Sequence, residues 1–219
     1  MLRDVILRPQ HIDALPHGRL ILQSHGAVGQ RNAQIFGDDG RPRRSFVMGR
    51  AIEFMMADRQ NNLFSAYFDE GVYSDPISAA GLVRWDSDGD QTWSYSAPQG
   101  VEYIDTVYTF NVADNVAWAI YYPTFPLLEV HADGHFHLRK NTVEPLGMAV
   151  RGSEALMLGY GSRLRYCEMT DLEATVVGEA EVTMPDGTPL KRYTRPVGRG
   201  GSLYLRGTTS VRQWYVLAM

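Results

Sequence analysis

The chain has 219 residues, of which 44% are hydrophobic and 21% charged, so it has the composition of a folded globular protein and not of a disordered one. Its net charge is −4 and its Lys and Arg residues form no run, which leaves no basic surface for a nucleic acid or an anionic membrane. We therefore expect neither partner. This length favours one domain, residues 1–219, over two small ones.

The first ten residues lack the pattern of an export signal. Arg3, Asp4 and Arg8 stand where a signal peptide has its apolar region, and nowhere do about 18 apolar residues follow one another. We therefore expect a cytoplasmic protein. Cys167 is the single cysteine, so no internal disulfide can form, and its place in an apparent strand favours a buried hydrophobic side chain over a reactive thiol.

Short runs rich in β-branched and aromatic residues follow one another along the chain, and long amphipathic helical windows are almost absent. After an initial run, "RDVILRP", two kinds of hairpin alternate. The first kind is a turn that opens an apolar strand, and it occurs in "LPHGRLILQSH", "ADRQNNLFSAYF", "VADNVAWAIYY", "VRGSEALMLGY" and "VGRGGSLYLRG". Three of these place a tyrosine at an equivalent point, namely Tyr67, Tyr121 and Tyr160. The pattern predicts an all-β protein.

The second kind of hairpin turns at an Asp-Gly pair, which supplies the positive φ angles that tight turns require. The pairs are Asp39-Gly40, Asp88-Gly89, Asp133-Gly134 and Asp186-Gly187. One hairpin of each kind makes a four-stranded antiparallel unit. Five units of about 44 residues match the period of propeller blades, so we predict a five-bladed β-propeller.

The two ends of the chain favour a closed ring. The last unit finishes at "VRQWYVLAM" after a third strand, and the initial run would supply the fourth strand of that blade. Closure of this kind removes an open sheet edge. Blade four is longer than the others, which leaves room for an extra hairpin.

The repeat pattern resembles that of bacterial β-propeller proteins of uncharacterised function, and the segment "NNLFSAYFDEGVYSDPISAAGLVRWDSDG" resembles one blade of such a family. The resemblance implies a fold and no activity. The dipeptide Trp85-Asp86 is similar to the one that ends a WD40 strand, but the matching positions of neighbouring units hold Phe36-Gly37 and Val130-His131. We therefore do not expect a true WD40 protein.

The stretch "RWDSDGDQTW" places Asp86, Asp88 and Asp90 around a glycine, as a calcium loop does. An EF-hand loop that begins at Asp86 requires glycine at its sixth position and Glu at its twelfth, where this chain has Gln91 and Ala97. The stretch is therefore predicted to be a hairpin turn.

In a propeller, the loops between second and third strands and the links between blades share the face where ligands usually bind. The longest such loop is "FDEGVYSDPISAAG". Around it we expect residues from neighbouring loops and links, so the predicted ligand-binding residues are Asp69, Glu70, Tyr73, Asp75, His25, Arg50, Glu53, Tyr103 and Asp105, with Gln30, Arg31 and Glu102 nearby. Carboxylates, an arginine and tyrosines suit a small polar ligand, a sugar ring or an organic cation. The alternative is that these residues are solvated loop ends and blade-to-blade hydrogen bonds.

An enzymatic alternative is a carbohydrate-active hydrolase. Such an enzyme requires two carboxyl groups about 5 to 10 Å apart, for which Asp69 or Glu70 could pair with Glu53 or Asp105. The motifs of phosphate loops, nucleophile elbows, zinc proteases and dinucleotide sites are missing.

The histidines in "HADGHFHL", His131, His135 and His137, favour an exposed hairpin over a functional metal site. We therefore expect no metal and no cofactor. The sequence as a whole favours a non-enzymatic propeller that binds a small polar ligand or a protein partner.

Overall fold

The computed structural model describes residues 1–184, 186–190, 193, 195–208 and 212–219. As predicted, the protein is all-β, and in these residues its one α-helix has four residues. The chain divides into two compact units, Met1–Val107 and Tyr108–Met219. The expected single domain therefore stays a prediction.

The first unit contains two sheets, each with four antiparallel strands in sequence order. The first sheet consists of β1 (His11–Leu15), β2 (Arg19–Gln23), β3 (Ala33–Phe36) and β4 (Pro42–Phe46). The second sheet consists of β5 (Ile52–Ala57), β6 (Leu63–Tyr67), β7 (Leu82–Trp85) and β8 (Gln91–Ser94). The connection from β6 to β7 carries α1 (Asp69–Val72) and a 3-10 turn at Ser78–Ala80.

An eight-stranded sheet contains two further runs of four neighbouring strands. The first run is β9 (Thr106–Ala113), which begins in the last residues of the first unit, β10 (Val116–Tyr122), β11 (Leu127–His131) and β12 (Phe136–Asn141). The second run is β13 (Gly147–Arg151), β14 (Glu154–Leu158), β15 (Arg163–Met169) and β16 (Glu173–Glu181). Only a short parallel pairing, Lys140 with Glu173 and Asn141 with Ala174, joins β12 to β16.

The last sheet in the described part of the chain has three strands, β17 (Val197–Arg199), β18 (Ser202–Arg206) and β19 (Trp214–Ala218). The four sheets therefore have four, four, eight and three strands. Each unit also has its own apolar core. One core packs Ile21, Leu63 and Val83 of the first unit, and another packs Leu158, Leu203 and Leu205 of the second.

Most of the predicted turns are confirmed. All five turns of the first kind join the first two strands of a run, as Leu15 pairs with Arg19 and Arg199 pairs with Ser202. Gly40, Gly89 and Gly134 lie at positive φ in the third-to-fourth turns. In each turn the glycine N–H donates to the carbonyl oxygen three residues earlier, at 2.9 to 3.1 Å.

The fourth Asp-Gly pair does not join the third and fourth strands of its run. Those strands, β15 and β16, are joined by residues 170–172. Gly187 does turn with φ +82°, but in a short extra hairpin after β16 that is held by a bridge between Thr183 and Pro189. This hairpin accounts for the extra length that the sequence shows in its fourth repeat unit.

The predicted N-terminal strand is wrong, since Met1–Gln10 contains no strand. The backbone of this segment bonds to the first sheet instead. Arg3 N–H donates to the carbonyl oxygen of Gly40 at 2.9 Å, and the side chain of Gln34 both accepts from Ile6 N–H at 3.2 Å and donates to Asp4 O at 3.0 Å. A side-chain amide, and not a neighbouring strand, is thus the partner of two backbone groups of this segment.

The tyrosines that the sequence placed at one repeat position differ in burial. Tyr67 and Tyr121 are fully buried within β6 and β10. Tyr160 lies beyond the end of β14 and is 74% exposed. The equivalence therefore holds for two of the three tyrosines.

Candidate functional site

The first unit brings six of the nine predicted site residues into two neighbouring clusters on its loops. Tyr73 follows α1, while Tyr103 and Asp105 lie in the link from β8 to β9. Glu70 belongs to α1, His25 to the loop from β2 to β3, and Arg50 to the link from β4 to β5. These residues lie on the second-to-third loops and links to which the sequence assigned them, and their role in ligand binding stays a prediction.

Tyr73, Tyr103 and Asp105 form the first cluster, which we call the aromatic corner. The hydroxyl of Tyr73 donates to Asp105 Oδ2 and lies 2.9 Å from the hydroxyl of Tyr103. The two rings stand at 86° with centroids 6.4 Å apart, yet they remain 62% and 56% exposed. The bond to the Asp105 carboxylate raises the pKa of Tyr73, and the bond to Tyr103 adds to this shift. The phenol of Tyr73 therefore stays a neutral donor.

Asp69 is connected to this corner through Thr106. The backbone N–H of Asp69 donates to Thr106 Oγ1 at 3.1 Å, and that hydroxyl donates to Asp105 Oδ1 at 2.9 Å. Both carboxylate oxygens of Asp105 thus accept hydrogen bonds from the protein. The start of α1 and the link to β9 are fixed to each other by these bonds.

Arg50 and Glu70, an ion pair between the β4–β5 link and α1, form the second cluster. Arg50 Nη2 lies 3.8 Å from Glu70 Oε2, and Arg50 Nη1 donates to Ser74 Oγ at 3.2 Å. A shallow cleft of about 410 Å³ opens beside this ion pair, and its walls are His25, Gly26, Ala27, Gln30, Arg50, Ala51 and Glu70. The cleft thus exposes one arginine, one carboxylate and one imidazole.

Two predicted site residues occupy other positions. Asp75 is only 4% exposed, and its Oδ1 accepts the N–H of Ile77 at 2.9 Å in the turn that leads into the 3-10 segment. Glu53 was predicted in the link before β5 but is the second residue of that strand and half-buried. Asp75 therefore stabilises a turn of the loop, and Glu53 belongs to the sheet.

Sequence reasoning missed two residues that organise the site. Ser74 accepts from Arg50 and donates to the carbonyl oxygen of Glu70, and Thr106 connects Asp69 to Asp105. Both act through hydroxyl groups that are common in loops, so no sequence pattern distinguishes them.

The suspected calcium loop is a hairpin turn, as predicted. Asp86 Oδ1 accepts the backbone N–H groups of Asp88 and Asp90 at 2.9 Å, and Asp90 pairs with Arg44. Its carboxylates are therefore engaged in the turn and in an ion pair. In the part of the chain that the structure describes, no group of three or more His, Cys, Asp or Glu residues is placed to hold a metal ion.

The three histidines of the β11–β12 hairpin lie close together. Their ring centroids are 4.9 to 6.4 Å apart, and His131 Nε2 lies 2.7 Å from Glu129 Oε1. Glu129 also accepts from Arg139 Nη1 at 2.7 Å. The carboxylate nearest the histidines is therefore shared with a guanidinium.

Cys167 is buried in β15, and burial raises the pKa of its thiol to about 11. The thiol is thus protonated and inert near neutral pH, which confirms the predicted buried side chain. No helix in the described ranges is long and apolar enough to cross a membrane.

No family model matches the chain, and no curated protein matches it. Among solved structures it is similar to the streptogramin B lyase structure, with a TM-score of 0.57 and 13% identity over 90% of this chain and 61% of that one. It is similar to a functionally unknown protein from Desulfotomaculum acetoxidans, with a TM-score of 0.56 and 10% identity over 95% of this chain and 68% of that one. A nidogen/laminin complex matches with a TM-score of 0.54 and 11% identity, over 84% of this chain and 66% of that one.

This chain thus spans about three fifths to two thirds of the length of these structures. At such low identity the similarity concerns the fold alone. Successive antiparallel runs of strands agree with it, and together they show that the protein has a propeller-type, all-β fold.

Proposed function

We propose that the protein is a non-enzymatic binding module that contacts a small polar ligand or a protein partner through the loop face of its first unit. The observation that carries the proposal is the aromatic corner. Two segments separated in sequence bring Tyr73 and Tyr103 together with both rings more than half exposed, although their hydroxyl groups bond to each other and to Asp105. Exposed aromatic rings held in place are a common feature of recognition surfaces.

The second cluster supports the same interpretation. The cleft beside Arg50 and Glu70 is lined by residues of the β2–β3 loop, the β4–β5 link and α1, so charged groups and aromatic rings come from loops and links of the same unit. Loops fixed on a sheet are where such folds carry binding sites. The net charge of −4 again speaks against a nucleic acid or an anionic membrane as the partner.

The carbohydrate-active hydrolase remains the second candidate, since Asp69 and Glu70 are carboxylates on the loop face. A hydrolase requires one carboxyl group free to donate a proton and another free to act as base or nucleophile. Asp105 already accepts two hydrogen bonds, Glu70 faces Arg50 and Asp75 is buried. These contacts favour binding over hydrolysis.

For the fold, we propose that the successive runs of strands are the blades of a five-bladed propeller, with a last blade that is not closed by residues 1–10. The bacterial origin, the cytoplasmic compartment and the distinction from WD40 proteins stay predictions from the sequence.

A ligand screen with the wild type and Tyr103→Ala tests the proposed function. We expect at least one sugar, organic cation or peptide to raise the melting temperature of the wild type and not that of Tyr103→Ala. Tyr160→Ala, which removes a tyrosine that is 74% exposed in the second unit, is the matched control and should behave like the wild type. Turnover of aryl glycosides by the wild type that is lost in Asp69→Ala would instead support the hydrolase.

A further inference from the structure

The aromatic corner has the geometry of an open aromatic cage. Its two rings stand at 86° to each other, so the ring of one tyrosine forms a wall beside the other. The bonds between the two hydroxyl groups and Asp105 fix the rings in this position. A compact group placed in such a corner touches aromatic carbon on two sides.

The two segments that build the corner carry charges of one sign. These segments, residues 68–75 and 101–106, contain five acidic residues and no Lys, Arg or His; the acidic residues are Asp69, Glu70, Asp75, Glu102 and Asp105. The guanidinium of Arg50 lies 3.8 Å from Glu70 Oε2 and donates to Ser74 Oγ. Ring faces carry partial negative charge, so rings and carboxylates attract the same kind of ligand, a cation.

The hydrogen bonds narrow the class of cation. Tyr73 OH donates to Asp105 and accepts from Tyr103 OH, and both oxygens of Asp105 accept bonds from the protein. A primary ammonium or a sugar hydroxyl loses water on binding and requires new hydrogen-bond partners, whereas the two tyrosine hydroxyl groups are already bonded to each other and to Asp105. A quaternary ammonium has no N–H to satisfy and requires only ring faces and a nearby negative charge.

We propose that Tyr73, Tyr103 and Asp105 form a recognition site for a quaternary ammonium group. This inference rests on the proposed binding function and names its ligand class. The group can come from a free small molecule such as choline or from a trimethyllysine side chain on a protein. Both sources present the same cation to the two rings, and the ligands of the experiment separate them.

The test is a titration followed by NMR or calorimetry with choline and with 3,3-dimethyl-1-butanol, which has the same shape but no charge. We expect choline to bind about tenfold more tightly than the neutral analogue. A trimethyllysine peptide is compared with the same peptide carrying unmodified lysine. Tighter binding of the methylated peptide than of choline assigns the site to a protein partner, and the reverse order assigns it to a small molecule; both orders support the proposal.

Variants of Tyr103 distinguish the contribution of its ring from that of its hydroxyl group. Tyr103→Leu should weaken choline binding about tenfold, whereas Tyr103→Phe, which keeps the ring, should stay within about threefold of the wild type. Asp105→Asn should weaken choline binding and reduce its dependence on salt. Tyr160→Leu in the second unit is the control and should change nothing.

Three results would overturn the proposal: no binding of choline or of the methylated peptide up to about 10 mM, equal affinity for choline and its neutral analogue, or unchanged affinity in Tyr103→Leu. Its failure is distinguishable from failure of the proposed function. A neutral ligand or an unmethylated peptide whose binding is lost in Tyr103→Leu rejects the cation and keeps the binding surface. Binding that no substitution on the loop face alters rejects both.

Discussion

A chain of buried polar groups lies in the core of the first unit. Trp85 Nε1–H donates to Ser65 Oγ at 2.8 Å, the Ser65 hydroxyl donates to the Tyr67 hydroxyl at 2.7 Å, and that hydroxyl donates to Met48 O. Burial raises the pKa of Tyr67, so the phenol remains a donor. Met48 lies in the link that carries Arg50, and Tyr67 ends the strand before α1. This chain of hydrogen bonds therefore connects two segments of the site to the core.

Replacing Ser65 should destabilise this core. In Ser65→Ala the buried indole N–H of Trp85 loses its acceptor, and we expect the free energy of unfolding to fall by about 1–3 kcal/mol. Urea denaturation measures this change. Ser96→Ala, at an exposed serine, is the control and should stay within about 0.5 kcal/mol of the wild type. Equal stability of the two variants would contradict the role given to the buried chain.

His11 should make stability depend on pH. Burial lowers the pKa of this imidazole from its ordinary value of 6.5, although its Nε2–H bond to Ile52 O at 3.2 Å opposes the shift. As pH falls, the unfolded chain therefore takes up the proton before the folded one does. The stability that comes from neutral His11 is complete above pH 6.5 and declines as pH falls towards the lowered pKa, by at most about 1.4 kcal/mol per pH unit.

Urea denaturation of His11→Gln between about pH 5 and about pH 8 measures this effect. The variant keeps a side-chain donor but cannot titrate, so we expect a flatter curve of unfolding free energy against pH. His17→Asn changes an exposed histidine at positive φ, which asparagine tolerates, and should keep the slope of the wild type. An unchanged slope in His11→Gln would show that other groups cause the pH dependence.

Residues whose role is local could be predicted from the sequence, and residues whose role depends on distant partners could not. The Asp-Gly turns follow from glycine's access to positive φ, and Asp39 and Asp133 each accept a backbone N–H two residues later. Asp75 does the same for Ile77 and is buried by packing that no neighbouring residue reveals. Thr106 matters only because folding places it between Asp69 and Asp105.

At the scale of elements, α1 contacts the link before β5 without space for a larger residue. A Cβ at Gly71 would overlap the carbonyl oxygen of Arg50 and crowd Ser78 Cβ at 3.2 Å. The carbonyl group also accepts the Ser78 hydroxyl at 2.9 Å, so it is held in place. The separation of Arg50 from Glu70 and Ser74 therefore depends on this glycine.

Gly71→Ala should disturb both stability and the loop face. We expect the free energy of unfolding to fall by about 1–3 kcal/mol, as for overpacking in a core, and any ligand of the aromatic corner to bind more weakly. Gly178→Ala in β16 is the control, because its Cβ would meet only Tyr166, at 3.8 Å. Denaturation curves and the choline titration measure the two effects. A Gly71→Ala protein as stable as the wild type would mean that α1 shifts at little cost.

The elements also show where prediction along the chain ends. First-to-second hairpins were predictable because each closes within a few residues, as at Asp114-Asn115 between β9 and β10. The run "RDVILRP" has the apolar residues of a strand, but strand formation depends on a partner edge, and its backbone bonds to Gln34 and Gly40 instead. Asp186-Gly187 makes the expected turn in an extra hairpin because turn chemistry does not specify which strands it joins.

At the scale of the whole molecule, the chain forms two compact units while its fold is of the propeller type. A single four-stranded sheet cannot bury both of its faces, so blades depend on their neighbours for stability. This dependence supports the single domain that was predicted from the length of the chain. It also makes that prediction testable without dividing the chain.

Hydrogen exchange on the intact protein provides the last test. If the chain is one cooperative domain, the most protected amides of β6 in the first unit and of β14 in the second should exchange with the same free energy, that of global unfolding. Ser65→Ala, which changes only the first unit, should then lower protection in β14 by as much as in β6. Loss of protection confined to β6 would mean that the units unfold independently, because destabilising one would leave the folding equilibrium of the other unchanged.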